Sequence, residues 1–417
     1  MIKKRIVFDT MKAKEHSPLG RIIVLTGARQ TGKTTLSRHG FPHFAYLSIE
    51  DPVQVAGYRR LTAQQWKALY PSAILDEVQK EPQLIESIKS VYDQFSEPRY
   101  ILLGSSRFLL MSKVRESLAG RCFIMEIYPL TLPELATDDV SEAIKDSFFV
   151  RYMRGDASEQ QLLPTFTMEP DYARKQQVYD YYLQYGGYPA LTNEALSDTD
   201  RMEWLEIYVR TFLERDVRDL GSFRDLEPFI KLQRYLAHTT GSTINLASIA
   251  KETAVSIPTI QRYLQYMEMS YQTLLLPAWF VNPVKRLTKA PKVHFMDYGV
   301  LQAVLKKRAR PSGNEYESII ITEIYKQLKS YRLPVNCYHL RTQDGREVDL
   351  LLETADSFIA IEVKMTANVG RSDIRNLTGL QEILNKPLRH AFVLSNDPNV
   401  QHFGEGITAV HAAQFLG

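Results

Sequence analysis

The run Ile22-Ile23-Val24-Leu25-Thr26-Gly27-Ala28-Arg29-Gln30-Thr31-Gly32-Lys33-Thr34-Thr35-Leu36 decides the fold. An apolar, β-branched segment is followed by an octet with two glycines and then by Lys-Thr at the head of a helical pattern. That is the strand–loop–helix setting of a phosphate-binding loop. Gly27 and Gly32 let the backbone curl so that successive N–H groups face phosphate oxygens. The candidate nucleotide contacts are therefore Gly27, Ala28, Arg29, Gln30, Thr31, Gly32, Lys33, Thr34 and Thr35. Lys33 would reach the β- and γ-phosphates, and Thr34 would give its hydroxyl to Mg²⁺. The positive end of the new helix adds to the same site. ATP and Mg²⁺ are the expected cofactors.

Outward from this loop, residues 21–150 alternate short apolar runs with amphipathic stretches, the pattern of a parallel α/β sheet. The spacing predicts strands at Ile22–Thr26, Phe44–Ile49, Ser72–Leu75, Tyr100–Leu103 and Phe123–Ile127. Ala73-Ile74-Leu75-Asp76-Glu77 is a strand ending in two acids. Asp76 would hold the Mg²⁺ through water and Glu77 would polarise the attacking water. The rival is an acidic pair that caps the next helix. The strand at 100–104 delivers Ser105 and Ser106 to the same sheet edge, where Ser106 is a candidate γ-phosphate sensor or else a turn serine. Arg121 is a candidate arginine finger, acting in its own site or a neighbour's, with a plain surface arginine as the rival.

At 417 residues the chain is long enough for two or three domains. Hydrophobic residues at 44% and charged residues at 24% are globular values and exclude wholesale disorder. A net charge of +3 neither demands nor excludes nucleic acid. Cys122 and Cys337 have no metal-ligand or paired spacing, so two buried thiols in a reducing compartment are expected. The N-terminus turns polar too early for a signal peptide, and the apolar stretch Leu274 to Val284 is broken by Pro277 and Pro283. A cytoplasmic protein with no membrane partner is expected.

From about 145 to 240 the pattern becomes helical, with Tyr179, Tyr181, Tyr182, Tyr185 and Tyr208 as a packing stripe. Residues 241–284 read as a winged-helix-like unit. Leu246, Ile249 and Ala250 form one helical face; Ile257, Ile260, Leu264 and Met267 form another. Ser256 is the expected N-cap, Pro258 fits the first turn, and Tyr271–Phe280 would be the wing. Thr259, Gln261, Arg262 and Gln265 would be exposed toward DNA, with interdomain packing as the equal alternative. Residues 285–312, rich in prolines and basic groups, read as a connector.

These residues resemble a widespread prokaryotic family of AAA-type P-loop ATPases joined to a C-terminal nuclease-like domain of unknown function. The resemblance rests on residues 27–34, Leu-Asp-Glu-Val-Gln (75–79), Leu-Leu-Gly-Ser-Ser (102–106) and Ser-Leu-Ala-Gly-Arg (117–121). It continues through Gly-Gly-Tyr-Pro (186–189) and Leu-Glu-Arg-Asp-Val-Arg-Asp-Leu (213–220). It implies a sheet of the additional-strand type and assembly into homo-oligomers. Arg107 stands where similar proteins show a small or uncharged residue; a cation there could replace Arg121 as the finger.

From 313 the chain returns to α/β, with strands expected at 347–353, 358–363 and 390–394. Asp349 and Glu362 fall on neighbouring strands, and Glu362 and Lys364 project from one side because the side-chain period is two. Asp349 and Glu362 would share a Mg²⁺ while Lys364 positions the water. This Asp…Glu-x-Lys arrangement resembles the active site of restriction-endonuclease-like nucleases. Glu317 best matches the acid that joins from a preceding helix, with Glu323 second. Three readings stay open: an intact nuclease, a nucleic-acid-binding relic, and a structural salt-bridge network.

The expected fold is α/β. A P-loop AAA-type parallel sheet (1–145) carries a helical lid (146–240), a winged helix (241–284), a connector (285–312) and a restriction-endonuclease-like α/β domain (313–417). The expected function is Mg²⁺-dependent ATP binding and hydrolysis coupled to action on DNA, as an ATP-gated nuclease. The alternative is an ATP-driven switch or assembly protein that only grips DNA or a protein partner.

Overall fold

The computed structural model describes residues 2–105, 107–162, 170–212 and 225–417. Strand β1 (Ile22–Gly27) is buried along its whole length, as a strand covered on both faces must be. With β2 (Ala45–Ser48), β3 (Ser72–Asp76), β4 (Arg99–Gly104) and β5 (Phe123–Ile127) it forms a sheet ordered β2-β3-β4-β1-β5. All four pairings are parallel. β4 lies between the phosphate-loop strand and the Asp76 strand, which is the additional-strand arrangement. Alternation along each strand divides its side chains between two cores. Ile22, Val24, Leu75 and Leu102 pack with Trp66 and Val91 on one face. Ile23, Leu25, Ile74 and Ile101 pack with Met11 and Leu36 on the other.

The second sheet is mixed. Its strands are β8 (Asn336–Arg341), β9 (Glu347–Glu353), β10 (Phe358–Lys364), β11 (Leu388–Ser395), β12 (Gln401–Gly404) and β13 (Ile407–His411). Their order is β12-β13-β11-β10-β9-β8, with β10, β11 and β13 mutually parallel and the outer pairings antiparallel. The helix Gly313–Ser330 packs on this sheet and is buried on nearly every side, which places it at the centre of the molecule. One continuous core runs from Tyr128 through the helical middle to Phe415 and includes Ile320 and Ile324 of that helix. The boundaries expected at 240 and 312 thus fall inside a shared interior.

Between the sheets, the tyrosine stripe is helix packing: Tyr179, Tyr182, Tyr185 and Tyr208 are buried, and Tyr181 packs against the same core. Gly186 in Gly-Gly-Tyr-Pro takes a φ of 73°, and a Cβ there would lie 2.3 Å from Asp297 Oδ1. The Gly187 amide donates to Asp297 Oδ2 at 2.7 Å, and a Cβ on Gly187 would lie 2.3 Å from the Leu130 carbonyl oxygen, so both positions need glycine. Residues 213–220 lie outside the described residues.

Helices Leu246–Thr253 and Ile257–Met269 follow the expected pattern at Ile249, Ile260, Leu264 and Met267, all buried. Ile257 departs from it and is exposed, because it starts its helix before the first turn meets the core. Ser256 occupies the N-cap position, but its hydroxyl donates to Thr259 Oγ1 at 2.9 Å instead of capping the backbone. The strand in the expected wing, β6 (Thr273–Leu276), pairs antiparallel with β7 (Lys292–Phe295), far along the chain. The stretch 285–312 is therefore not a bare connector. It contains β7 and the buried helix Tyr298–Leu305, whose apolar run Val300, Leu301 and Val304 enters the main core. Among the described residues no helix is long and apolar enough to cross a membrane. Cys122 and Cys337 are free and only partly buried.

Candidate nucleotide site and carboxylate cluster

The loop after β1 is drawn tight against its surroundings. A Cβ on Gly27 would lie 2.1 Å from the Ile127 carbonyl oxygen, so only glycine fits beside β5. Gly32 has a φ of 88° and leads into the helix Lys33–Gly40. Thr31 is buried and its hydroxyl donates to the Ala28 carbonyl at 2.8 Å. Lys33 Nζ folds back onto the carbonyls of Gly27 at 2.9 Å and Ala28 at 2.7 Å. Gln30 and Thr35 are exposed on the rim, Arg29 is half-buried, and Gln30 has a φ of 61°.

Asp76 and Glu77 stand at the end of β3 beside this loop. Asp76 Oδ2 accepts hydrogen bonds from Thr34 Oγ1 at 2.7 Å and from the Tyr46 hydroxyl at 2.8 Å. Thr34 and Asp76 thus converge as oxygen donors, and this pair fits a Mg²⁺ ion. Tyr46, not foreseen in the sequence, has its phenol pKa raised by burial and by the Asp76 carboxylate. Glu77 takes a left-handed φ of 57°, a strain of about 1–3 kcal/mol. Its Oε2 accepts from Ser105 Oγ at 3.1 Å and from the Gln79 amide. Ser105 holds the carboxylate; Ser106 lies outside the described residues. Gln79 belongs to the Leu-Asp-Glu-Val-Gln run, so the signal was in view but unassigned.

Two further side chains brace the loop. Arg5, buried at the head of the first helix, donates to the Thr31 carbonyl at 2.7 Å, the Tyr128 carbonyl at 2.5 Å and Glu134 Oε1 at 3.1 Å. Tyr271, just past the helix Ile257–Met269, donates to Glu126 Oε1 at 3.0 Å and approaches Thr26 Oγ1 at 3.4 Å. Nothing in their local sequence marks either residue.

Arg121 is not brought to its own loop. It precedes β5 at the N-terminal edge of the parallel sheet, whereas residues 27–34 follow β1 at the C-terminal edge. A strand of this length separates them by roughly 16 Å. Its guanidinium instead pairs with Asp93 Oδ1 at 2.8 Å on the surface.

In the C-terminal sheet, Asp349 and Glu362 stand on the adjacent strands β9 and β10. Lys364 Nζ lies 2.7 Å from Glu362 Oε1. Asp349 Oδ2 accepts the Val363 amide at 2.8 Å. A residue unforeseen in the sequence completes the group. Lys292 of β7 brings its ammonium to Glu347 Oε1 at 2.7 Å, Glu317 Oε1 at 2.9 Å and Asp349 Oδ1 at 3.7 Å. Burial, then the nearby Asp349 charge, pushes Glu317 up to about 8 and Glu362 to about 7. Burial likewise raises Asp349. Burial opposes the Lys292 charge, but Glu317 and Asp349 outweigh it and its pKa is raised. Glu323, the second-choice acid, faces elsewhere: it pairs with Lys326 at 3.2 Å and accepts the Leu132 amide at 2.8 Å. Among the described residues, no three His, Cys, Asp or Glu side chains are arranged to hold a metal ion.

Residues 19–136, which carry the N-terminal sheet and its loop, match the AAA domain family. Residues 176–310 and 312–415 match two domains of unknown function, DUF8612 and DUF4143. The chain is 28% identical over 393 residues to the uncharacterized proteins Rv2008c of Mycobacterium tuberculosis and Mb2031c of Mycobacterium bovis, covering 90% of this chain and 78% of theirs. Among solved structures, the Walker-type ATPase PABY2304 of Pyrococcus abyssi aligns at 15% identity with a TM-score of 0.44. That alignment covers 74% of this chain and 99% of that one, and it carries no functional weight.

Proposed function

We propose that this chain is an ATP-driven switch that binds and hydrolyses ATP with Mg²⁺ at residues 27–34, with DNA as the first partner to test. The observation that carries the reading is the pairing of two ready-made acids beside the loop. Asp76 is joined to Thr34, and Glu77 is held by Ser105 and Gln79. Lys33 exchanges the Gly27 and Ala28 carbonyls for phosphate oxygens. Thr34 and Asp76 hold the Mg²⁺, which supplies positive charge against the phosphates. Glu77, fixed by its two donors, accepts a proton from the attacking water.

Arg121 acts, on this reading, in the site of a neighbouring copy, since its own loop is at the far edge of the sheet. That supports a homo-oligomer in which each site is completed across an interface. For DNA, the exposed side chains Gln261, Arg262 and Gln265 on one helix, followed by the β6–β7 pair, support winged-helix use. Phosphate contacts made there would weaken steeply with salt.

The test is ATP turnover with Mg²⁺, with and without single-stranded, duplex and branched DNA, in wild type, Lys33→Ala and Glu77→Gln. Turnover that rises with one DNA form and is largely lost in both variants is expected. Turnover indifferent to every DNA form would redirect the search to a protein partner, and tight ATP binding without turnover would remove hydrolysis from the reading.

A second reading, an ATP-gated nuclease, is favoured by Asp349, Glu362 and Lys364 meeting on adjacent strands. It requires metal-dependent cleavage that Asp349→Ala or Glu362→Ala abolishes. The contacts of Lys292 weigh against it.

A further inference from the structure

A metal-dependent nuclease needs carboxylate oxygens free to bind a divalent ion. Each acid of the C-terminal cluster is instead engaged. Asp349 presents one oxygen to Lys292 and the other to the Val363 amide. Glu317 and Glu347 are turned to Lys292, and Glu362 Oε1 to Lys364. The donor set as it stands does not fit Mg²⁺.

Lys292 arrives from outside the sheet that carries these acids. Its strand, β7, belongs to the two-stranded pair with β6, and its side chain is 3% exposed. The acids come from the helix Gly313–Ser330 and from β9. A lysine buried this deeply persists only where opposite charge offsets its desolvation. Glu362, 2% exposed, keeps a second oxygen, Oε2, with no hydrogen-bond partner among the described residues. Its other oxygen is held by Lys364, so Glu362 stands beside the Lys292 group and is not one of its members.

We propose that the Lys292 ammonium is the resident cation of this cluster, that it occupies the place of a divalent ion among Glu317, Glu347 and Asp349, and that its removal opens that place to a divalent cation. The lysine thereby fastens β7 to the C-terminal sheet and keeps the acids silent toward metal. The inference does not depend on ATP hydrolysis: the two sites share no residue.

The test counts bound Mn²⁺ by electron paramagnetic resonance on the full chain without nucleotide. In wild type, Asp349→Asn should leave the count unchanged. Lys292→Ala should gain one ion per chain, lose it again with Asp349→Asn added, and melt at a higher temperature with Mn²⁺ present, whereas wild type does not. A wild-type Mn²⁺ ion that Asp349→Asn removes would overturn the proposal, as would a folded Lys292→Ala that gains none. The wild-type arm decides even if Lys292→Ala fails to fold. Thr34 and Asp76 are untouched throughout, so a failed ATPase assay and a failed metal count are separate results.

Discussion

Two lysines, both buried, face opposite prospects in this molecule. Lys33 is lodged on two backbone carbonyls at the edge of a sheet, and those neutral oxygens yield readily to the stronger negative charge of a phosphate. Lys292 is lodged among carboxylates in the interior, where leaving would strand several acids without a counter-charge. The first arrangement is suited to exchange and the second to permanence. Burial alone does not separate a working lysine from a structural one; the charge of what holds it does.

The sharpest way to break this contrast is Lys292→Met. Removing one partner from a buried ionic group costs about 3–5 kcal/mol, and urea unfolding should show a loss of that size. A loss under about 1 kcal/mol would mean the cluster adapts and the permanence is illusory. Next, Lys33→Ala should leave the melting temperature near that of wild type but reduce ATP turnover about 10²–10³-fold.

Acid should separate the two regions further. His339 and His411 are pushed down to about 4, and His294 well below its usual range, all chiefly by burial. Their folded-state pKa values lie below the unfolded value near 6.5, so the unfolded chain binds protons first as the pH drops. Stability is fully present above about 6.5 and is lost as pH falls toward 4, by roughly 1–3 kcal/mol each for His339 and His411. All three lie in the C-terminal half. The raised carboxylates Glu317 and Glu362 run the other way in the same half, so the histidine contribution is read by difference: His411→Gln should flatten the loss of stability between pH 6.5 and 4.

Smaller effects refine the nucleotide side. Arg5→Ala removes a buried guanidinium from Thr31, Tyr128 and Glu134 and should cost about 1.5–3 kcal/mol. If Arg5 positions the loop, the KM for ATP should rise more than kcat falls. Arg121→Ala should change stability by less than about 1 kcal/mol, because its pair with Asp93 is on the surface. Turnover should nonetheless drop, and its rise with protein concentration should disappear, if the residue serves a neighbouring copy.

The strands of the first sheet were legible to within a residue at most ends, because the phosphate loop fixes where β1 stops and the apolar runs are short and clearly bounded. Asp76 and Glu77 were legible for the same reason. Asp349, Glu362 and Lys364 were found through strand periodicity. Lys292 was not: its prolines and basic neighbours resemble a surface linker, and all its carboxylate partners come from later elements. Arg5 and Tyr271 were hidden likewise, since a side chain that reaches a distant carbonyl leaves no local pattern. Local periodicity records which face is buried, not which charge arrives from elsewhere.

The continuous interior has a bearing on how this protein is made. Phe415 and Leu416 pack in the same core as Tyr128 and Leu130, which flank the nucleotide-binding sheet. On the ribosome, the first sheet can assemble early, but the surface beside it stays open until residues beyond position 400 emerge to cover it. A stalled or shortened translation product would carry an exposed apolar flank of the kind that chaperones and proteases recognise.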